Sequence, residues 1–226
     1  SAGDLDRVLD AIAGPDQPDA KAFCLSLPAP PHRPVRDWRV LVLDRHPVCA
    51  TSSAMCGALD SLARRLEQAG TRVSRSSDKL PDLKAIAESY TTLVTTFLGA
   101  WEPGGSTTMS AHDWIRLMGQ RDRYRVQWRA FFEEFDALLC PPSGSAAFPH
   151  DPNPDFDSRT LLVDGEPTPY GAQGAWSTIA SMAGLPATVA PMARDADGLP
   201  LGVQIIGPYL EDRSTIALAG QLAAPR

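Results

Sequence analysis

The sequence has no apolar run long enough to cross a bilayer, no basic track and no paired-cysteine framework, and each absence removes a class of function. A membrane-spanning helix needs about 20 consecutive apolar residues, and no stretch of the 226 approaches that. The 21 Lys and Arg are mixed with 27 Asp and Glu for a net charge of −6, which argues against a nucleic-acid partner. The opening SAGDLDRVLDAIAGPD carries acidic residues in a helical pattern, unlike a signal peptide. Cys24, Cys49, Cys56 and Cys140 stand far apart in or beside apolar runs, as reduced core cysteines do, so a cytoplasmic protein is expected. His46, Cys49 and Cys56 cluster without a fourth ligand or a zinc-like spacing, so neither metal nor cofactor is expected. No G-x-S-x-G elbow occurs, and adjacent His150 and Asp151 are poorly disposed to serve Ser143 or Ser145 as a relay.

What is present reads as an α/β chain. Leu5, Val8, Leu9, Ile12 and Ala13 recur at helical spacing until Gly14-Pro15 stops them. Residues 16–37 are proline-rich connection. Trp38 to Asp44 is a continuous β-rich run. Ser52 or Ser53 then caps a helix whose Met55, Leu59, Leu62, Leu66 and Ala69 form one stripe, with Gly70 as its stop. A short strand follows from Thr71. Strand, helix and strand in this order predict parallel pairing across a right-handed crossover bridged by residues 53–69.

A second helix is expected from Asp82 to Leu98, burying Leu83, Ile86, Tyr90, Val94 and Phe97. Trp101 to Thr108 reads as a loop. Ser110, reinforced by Asp113, caps the longest helix, with Trp114, Met118, Arg121, Tyr124, Trp128, Phe131 and Phe135 inward. Its arginines 121, 123, 125 and 129 alternate with aromatics, but Asp122, Glu133 and Glu134 sit beside them, so a solvated face outweighs nucleic-acid binding. Ala137 to Cys140 is a buried strand ended by Pro141-Pro142, and residues 143–169 form a long loop. Ala172 to Met182 is helical up to Gly184, and a last helix from Asp212 or Ser214 turns Ile216, Ala219 and Leu222 inward.

The most informative stretch is GLPATVAPMARDADGLPLGVQIIG, residues 184–207. Two apolar runs, Ala187–Ala190 and Leu201–Ile206, flank a polar turn at 194–198, with Pro191 and Pro200 expected to set where pairing starts and stops. Together with LDAIAGPD at Leu9–Asp16, FDALLCPP at Phe135–Pro142, Ala147-Phe148-Pro149 and Glu211-Asp212, this text resembles the C-terminal half of the amidase signature family. The resemblance implies a mixed β-sheet flanked by helices on both faces, with residues 1–226 as the C-terminal portion of one such domain. It also implies hydrolysis of a small-molecule carboxamide to acid plus amine or ammonia, through a serine acyl-enzyme.

The Ser–cis-Ser–Lys triad of that family is expected upstream of Ser1, and no catalytic residue is assigned within this chain. Gly104-Gly105-Ser106 matches only half of the family's nucleophile loop, and Lys21, Lys79 and Lys84 lack its glycine-led setting. What the resemblance leaves to this half is pocket wall, for which Cys140, Phe148, Tyr170, Trp176 and Ile179 are the candidates, each with a plain core reading beside it. The implied partners are the upstream half of the same protein and a small-molecule amide, with a homodimer as a further option and no nucleic acid or membrane. Apolar surface near the first helix and Trp176 is expected to face that upstream half. The arginine-rich Gly-Phe-Gly stretch of the family's tRNA amidotransferase subunits is replaced here by Gly104–Ile115, which favours a general aliphatic or aromatic amidase. The alternative is a non-catalytic scaffold or subunit of an amidotransferase-like complex.

Overall fold

The computed structural model describes residues 1–101 and 109–223. Six α-helices and seven strands occur among them: α1 (Ala2–Ile12), β1 (Arg39–Val42), α2 (Ser53–Gln68), β2 (Arg72–Ser74), α3 (Leu83–Trp101), α4 (Ala111–Glu134), β3 (Ala137–Cys140), β4 (Thr160–Val163), β5 (Glu166–Pro169), α5 (Ala175–Ala183), β6 (Ala187–Arg194), β7 (Pro200–Ile206) and α6 (Asp212–Leu222). Five strands form a mixed sheet in the order β2-β1-β3-β7-β6. β1 pairs in parallel with both β2 and β3, whereas β7 is antiparallel to β3 and to β6. The predicted β1–α2–β2 unit is therefore present with its parallel register, Val40 facing Val73.

Alternation along the central strands divides the core in two. Leu41, Leu138, Cys140 and Ile206 meet α3, α4 and α5 through Ile86, Trp128, Phe131, Trp176 and Ile179. Val40, Val42, Leu139, Val203 and Ile205 point the other way, onto α2 and α6 through Leu59, Leu62, Leu66, Leu218 and Leu222. Side chains two apart share a face of the sheet, so each strand contributes to both layers. The arrangement is the expected sheet with helices on both sides.

Several local readings are corrected. Pro191 does not end its strand: β6 continues to Arg194, paired with Pro200, across an irregularity between Pro191 and Ala193. Proline is tolerated there because β6 lies at the sheet edge, where one row of donors meets no neighbour in the sheet. The 143–169 loop contains the β4–β5 hairpin, turned by Asp164 and Gly165 with φ of 53° and 85°. Two consecutive positive φ values suit Asp-Gly and match the twist of a hairpin. The helix expected over 172–182 starts later, since 170–174 form a 3₁₀ turn before α5.

Buried faces also run shorter than periodicity suggested. α3 buries Leu83, Ile86 and Ala87, but Phe97 is exposed and Tyr90 and Val94 are only half-buried. α4 buries Tyr124, Trp128 and Phe131 while Trp114 stays exposed. Ala69 and Cys24 are exposed, and Ile216 is half-buried. The expected loop from Trp101 to Thr108 begins on the last residue of α3 and otherwise lies outside the described residues.

The arginines of α4 have an internal task. Arg121 Nε donates to Met182 O at 3.1 Å, and Arg125 Nε donates to Ala183 O at 2.9 Å. Both carbonyls belong to the last turn of α5, where unpaired acceptors and the helix dipole favour a cation. At the other end of α4, Ser110 Oγ accepts from Asp113 N at 3.1 Å and donates to the Asp113 carboxylate at 2.6 Å. Ser110→Ala is expected to cost about 1 kcal/mol in urea unfolding, the usual worth of an N-cap.

Candidate functional site

The five pocket-wall candidates separate into two groups rather than one wall. Cys140, Trp176 and Ile179 are fully buried in the layer beneath α4 and α5. β3 carries Cys140 into that layer because its residues alternate across the sheet, and α5 turns Trp176 and Ile179 inward at positions three apart. Gln204 on β7 ties two of them together: its Nε2 donates to Cys140 Sγ at 3.3 Å and to Trp176 O at 3.2 Å. Phe148 and Tyr170 lie in the outer loop layer, edge to face with centroids 5.6 Å apart. Phe156 adds a third ring at 5.2 Å from Tyr170, and Arg159 lies over Phe156 and Tyr170.

A separate junction is built from residues that no sequence motif connects. Gly144 is its centre. Gly144 N donates to Gln173 Oε1 at 2.7 Å, Ser143 Oγ donates to the same oxygen at 3.2 Å, and Gly144 O accepts from Ser52 N at 2.7 Å. The backbone passes so close that a Cβ on Gly144 would lie 2.0 Å from Ala50 O. The junction joins three segments: the loop before α2, the loop after β3 and the turn before α5. Asp164 reinforces it from the β4–β5 hairpin, accepting from Ser53 N at 2.7 Å and Ser53 Oγ at 3.2 Å. A carboxylate suits that position, the first turn of α2.

His46 lies against Trp176, edge to face at 5.1 Å. Its Nδ1 accepts from Val48 N, which puts the proton of the neutral ring on Nε2, and burial lowers its pKa. His46 Nε2, Thr51 Oγ1, Gln173 Nε2 and Trp176 Nε1 are all buried groups able to donate, with no hydrogen-bond partner among the described residues. In the sequence Trp176, His46, Ser52 and Ser143 are singled out for other roles, Gln204 is the last letter of the Gly-Leu-Pro-x-Gly-x-Gln text at residues 198–204, and Thr51, Gly144 and Gln173 carry no signal.

The serine-relay and metal alternatives can be placed. Ser143 is bound to Gln173, Ser145 Oγ donates to Ala146 O, and Asp151 accepts from Asn153 N, so these groups form no relay. His150 is exposed. Ser106 and its glycines lie outside the described residues. Among the described residues no three His, Cys, Asp or Glu side chains group in a way that could hold a metal ion. Cys49 Sγ and Cys56 Sγ instead donate to the backbone carbonyls of Ala50 and Asp44. No helix of the described residues is long and apolar enough to cross a membrane.

Burial governs thiol chemistry here. It pushes Cys49 up to about 11 and Cys140 up to about 12, while Cys24 is exposed. Thiolate is the reactive form. With a chromogenic disulfide at pH 8, one thiol, Cys24, is expected to react promptly in the native chain. Cys49 and Cys140 are expected to react only on unfolding, and prompt modification of either, read by mass spectrometry, would contradict this burial pattern.

Comparison with known proteins gives these features a context. Residues 84–216 match the family model described as Amidase. The A-type subunit of the glutamyl-tRNA(Gln) amidotransferase of Gluconobacter oxydans (strain 621H) is 34% identical over 108 residues, covering 47% of this chain and 20% of that protein. Indoleacetamide hydrolase of Bradyrhizobium japonicum is 24% identical over 239 residues, covering 96% of this chain and 49% of that protein. The solved structure of the corresponding glutamyl-tRNA(Gln) amidotransferase subunit from Thermotoga maritima superposes with a TM-score of 0.74 at 18% identity, covering 98% of this chain and 50% of that one. Identity at that level speaks to the fold. The chain thus spans about half the length of a solved relative and from about a fifth to a half of the curated relatives.

Proposed function

The chain belongs to the amidase family, and on that premise we propose that it is a non-catalytic component of an amide-processing assembly, of the kind an amidotransferase subunit contributes to. The supporting observation concerns its lysines. The family's triad requires a lysine that can take a proton from a serine, and this sequence has three. Lys79 Nζ pairs with Glu134 at 2.9 Å, Lys84 Nζ is 4.0 Å from Glu88, and Lys21 is exposed. The bond to Glu134 raises the Lys79 pKa, so that this lysine stays an ammonium and makes no base. On this reading any Ser–cis-Ser–Lys chemistry is supplied from outside these 226 residues. The more identical curated relatives are amidotransferase subunits, at 34–35% over about half of the chain, and this supports the subunit reading over the free-standing aliphatic or aromatic amidase expected above.

A second reading rests on the indoleacetamide hydrolase likeness, which runs over 96% of the chain. In it Tyr170 and Phe148 supply an aromatic wall for a flat amide, while Cys140, Trp176 and Ile179 serve as core. The two readings share one test. Isolated chain and full-length protein are assayed side by side for hydrolysis of an aryl amide and of glutamine. No turnover is expected from the isolated chain with either substrate. Turnover by it that is lost on Ser143→Ala sinks the proposal. Glutamine turnover by the full-length protein favours the subunit reading. Aryl-amide turnover whose KM rises at least about tenfold in Tyr170→Ala favours the second, since losing a stacked ring costs about 1.4 kcal/mol of binding.

A further inference from the structure

A groove of about 460 Å³ opens between the C-terminal half of α4, Leu185 and the turn that follows β7. It lies where β3 begins and β7 ends, whereas the Gly144 junction lies beyond the other end of β3. Its size falls in the range of small-molecule sites, about 300–1,000 Å³. Val126, Phe132, Leu185 and Pro208 line it with carbon, and Tyr209, 48% exposed, lines it too. The turn that carries Tyr209 holds Leu210 at a φ of 65°, a left-handed conformation that side chains other than glycine rarely adopt. Four charged residues share the groove: Arg125, Arg129, Glu133 and Glu211. Two of them are already engaged. Arg125 Nε donates to Ala183 O, its Nη1 is 3.6 Å from Asp122, and its guanidinium lies 4.8 Å from the centre of the Tyr209 ring. Glu211 accepts from Ser214 Oγ at 3.2 Å. Arg129 and Glu133 are not. They are exposed, one helical turn apart on α4, and neither side chain has a hydrogen bond or ion pair among the described residues.

We propose that this groove is a binding site for a free α-amino acid with an apolar side chain. The carboxylate sits against Arg129, the ammonium against Glu133, and the side chain against Val126, Leu185 and Tyr209. The presence of both signs of charge selects this class of ligand. A simple organic acid leaves Glu133 and Glu211 unanswered and is repelled by them, and a simple amine meets the same difficulty at the two arginines. A zwitterion carries both charges on one carbon and answers both at once, and the planar fork of an arginine matches a carboxylate. An internal peptide segment has neither α-charge, which argues against a stretch of protein as the occupant. Nothing in this site depends on whether the chain is a subunit or an amidase.

Calorimetry on the full-length native protein tests this. The probes are L-leucine, 4-methylpentanoate, which lacks the ammonium, and 3-methylbutylamine, which lacks the carboxylate. L-leucine is expected to bind with a Kd at or below about 1 mM, and each of the other two at least about tenfold more weakly. Arg129→Ala and Glu133→Gln are each expected to weaken L-leucine at least about tenfold. Melting of both variants should be unchanged, because the two side chains are exposed and unpaired. A leucine analogue with a diazirine in its side chain is expected to label peptides holding Val126 or Tyr209, and excess L-leucine is expected to suppress the label. Absence of L-leucine binding in this range overturns the proposal. So does equal binding of the acid or the amine, or an affinity that both variants retain. Labelling confined to other peptides, as when the groove is covered by protein, overturns it as well. Where a variant melts lower than the parent, the labelled peptides decide alone.

Discussion

Gly144→Ala is expected to be the most damaging single substitution in this chain, costing more than about 3 kcal/mol. The added Cβ would stand 2.0 Å from Ala50 O and 2.8 Å from Gln173 Oε1, and the nearer atom is backbone, which no rotamer change can move. Relief requires separating the loops before α2 and after β3, which breaks the bonds from Ser52 N and to Gln173. For a protein of this size that corresponds to a melting temperature at least roughly 6 °C lower. Gly202→Ala is the control: its Cβ meets Val189 Cγ1 at 2.9 Å, on an exposed side chain, and comes no nearer to backbone than 3.4 Å, at Ala190 O. Thermal unfolding of the two variants that shifted equally would mean that the 144 junction is not rigid.

Asp136→Ala is expected to cost about 3 kcal/mol, the low end of the penalty for stranding one member of a buried pair. Asp136 is 11% exposed and anchors the start of β3. Its carboxylate accepts from Arg39 N at 2.8 Å, from Arg39 Nε and Nη2 at 3.2 and 2.8 Å, and pairs with Arg33 at 3.2 Å. The low end applies because the two arginines remain 29% and 32% exposed and keep part of their hydration. Burial alone would raise the Asp136 pKa, but the bonds from Arg39 and the charge of Arg33 outweigh it and hold it below the ordinary value. The folded-state pKa is thus depressed relative to an unfolded value of about 3.9. The stability it lends is complete above about pH 4 and is lost as pH falls through the folded pKa. Asp136→Asn should therefore flatten the fall in stability on the acid side of pH 4; an unchanged slope in urea titrations across that range would refute the assignment.

The parts of this fold visible in the sequence are those where local pattern and tertiary role coincide. Arg39–Val42, Ala137–Cys140 and the helix starting after Ser52 carry apolar residues at the period of their own element, and a central strand or sandwiched helix has nowhere else to put them. The β4–β5 hairpin escaped because Pro167 and Pro169 demote its second strand, although Asp164-Gly165 is a sound turn signal. α1 marks another limit. Periodicity says that a helix has two faces but not which one the rest of the protein covers, and here Arg213 holds the polar one. Depth is equally invisible. Trp176 and Tyr170 lie six residues apart, yet one is sealed beneath α4 and the other lies among loop aromatics, and only the packing of the 3₁₀ turn and α5 separates them. The donors around Gly144 come from three distant segments, so no spacing could have announced them.

The Arg39–Asp136 clamp also bears on the order in which the chain can assemble. β1, α2 and β2 follow one another closely and can associate early, whereas β3, which lies between β1 and β7, joins them only after closing a span of 97 residues. Ordering so long a loop precedes any reward from pairing, which slows the step. Until β3 arrives, the β1 flank and the apolar faces meant for it stay open to other chains. Cooling and dilution during refolding should thus improve recovery more than any change that strengthens α2, since the vulnerable interval ends with the arrival of Asp136 at Arg39.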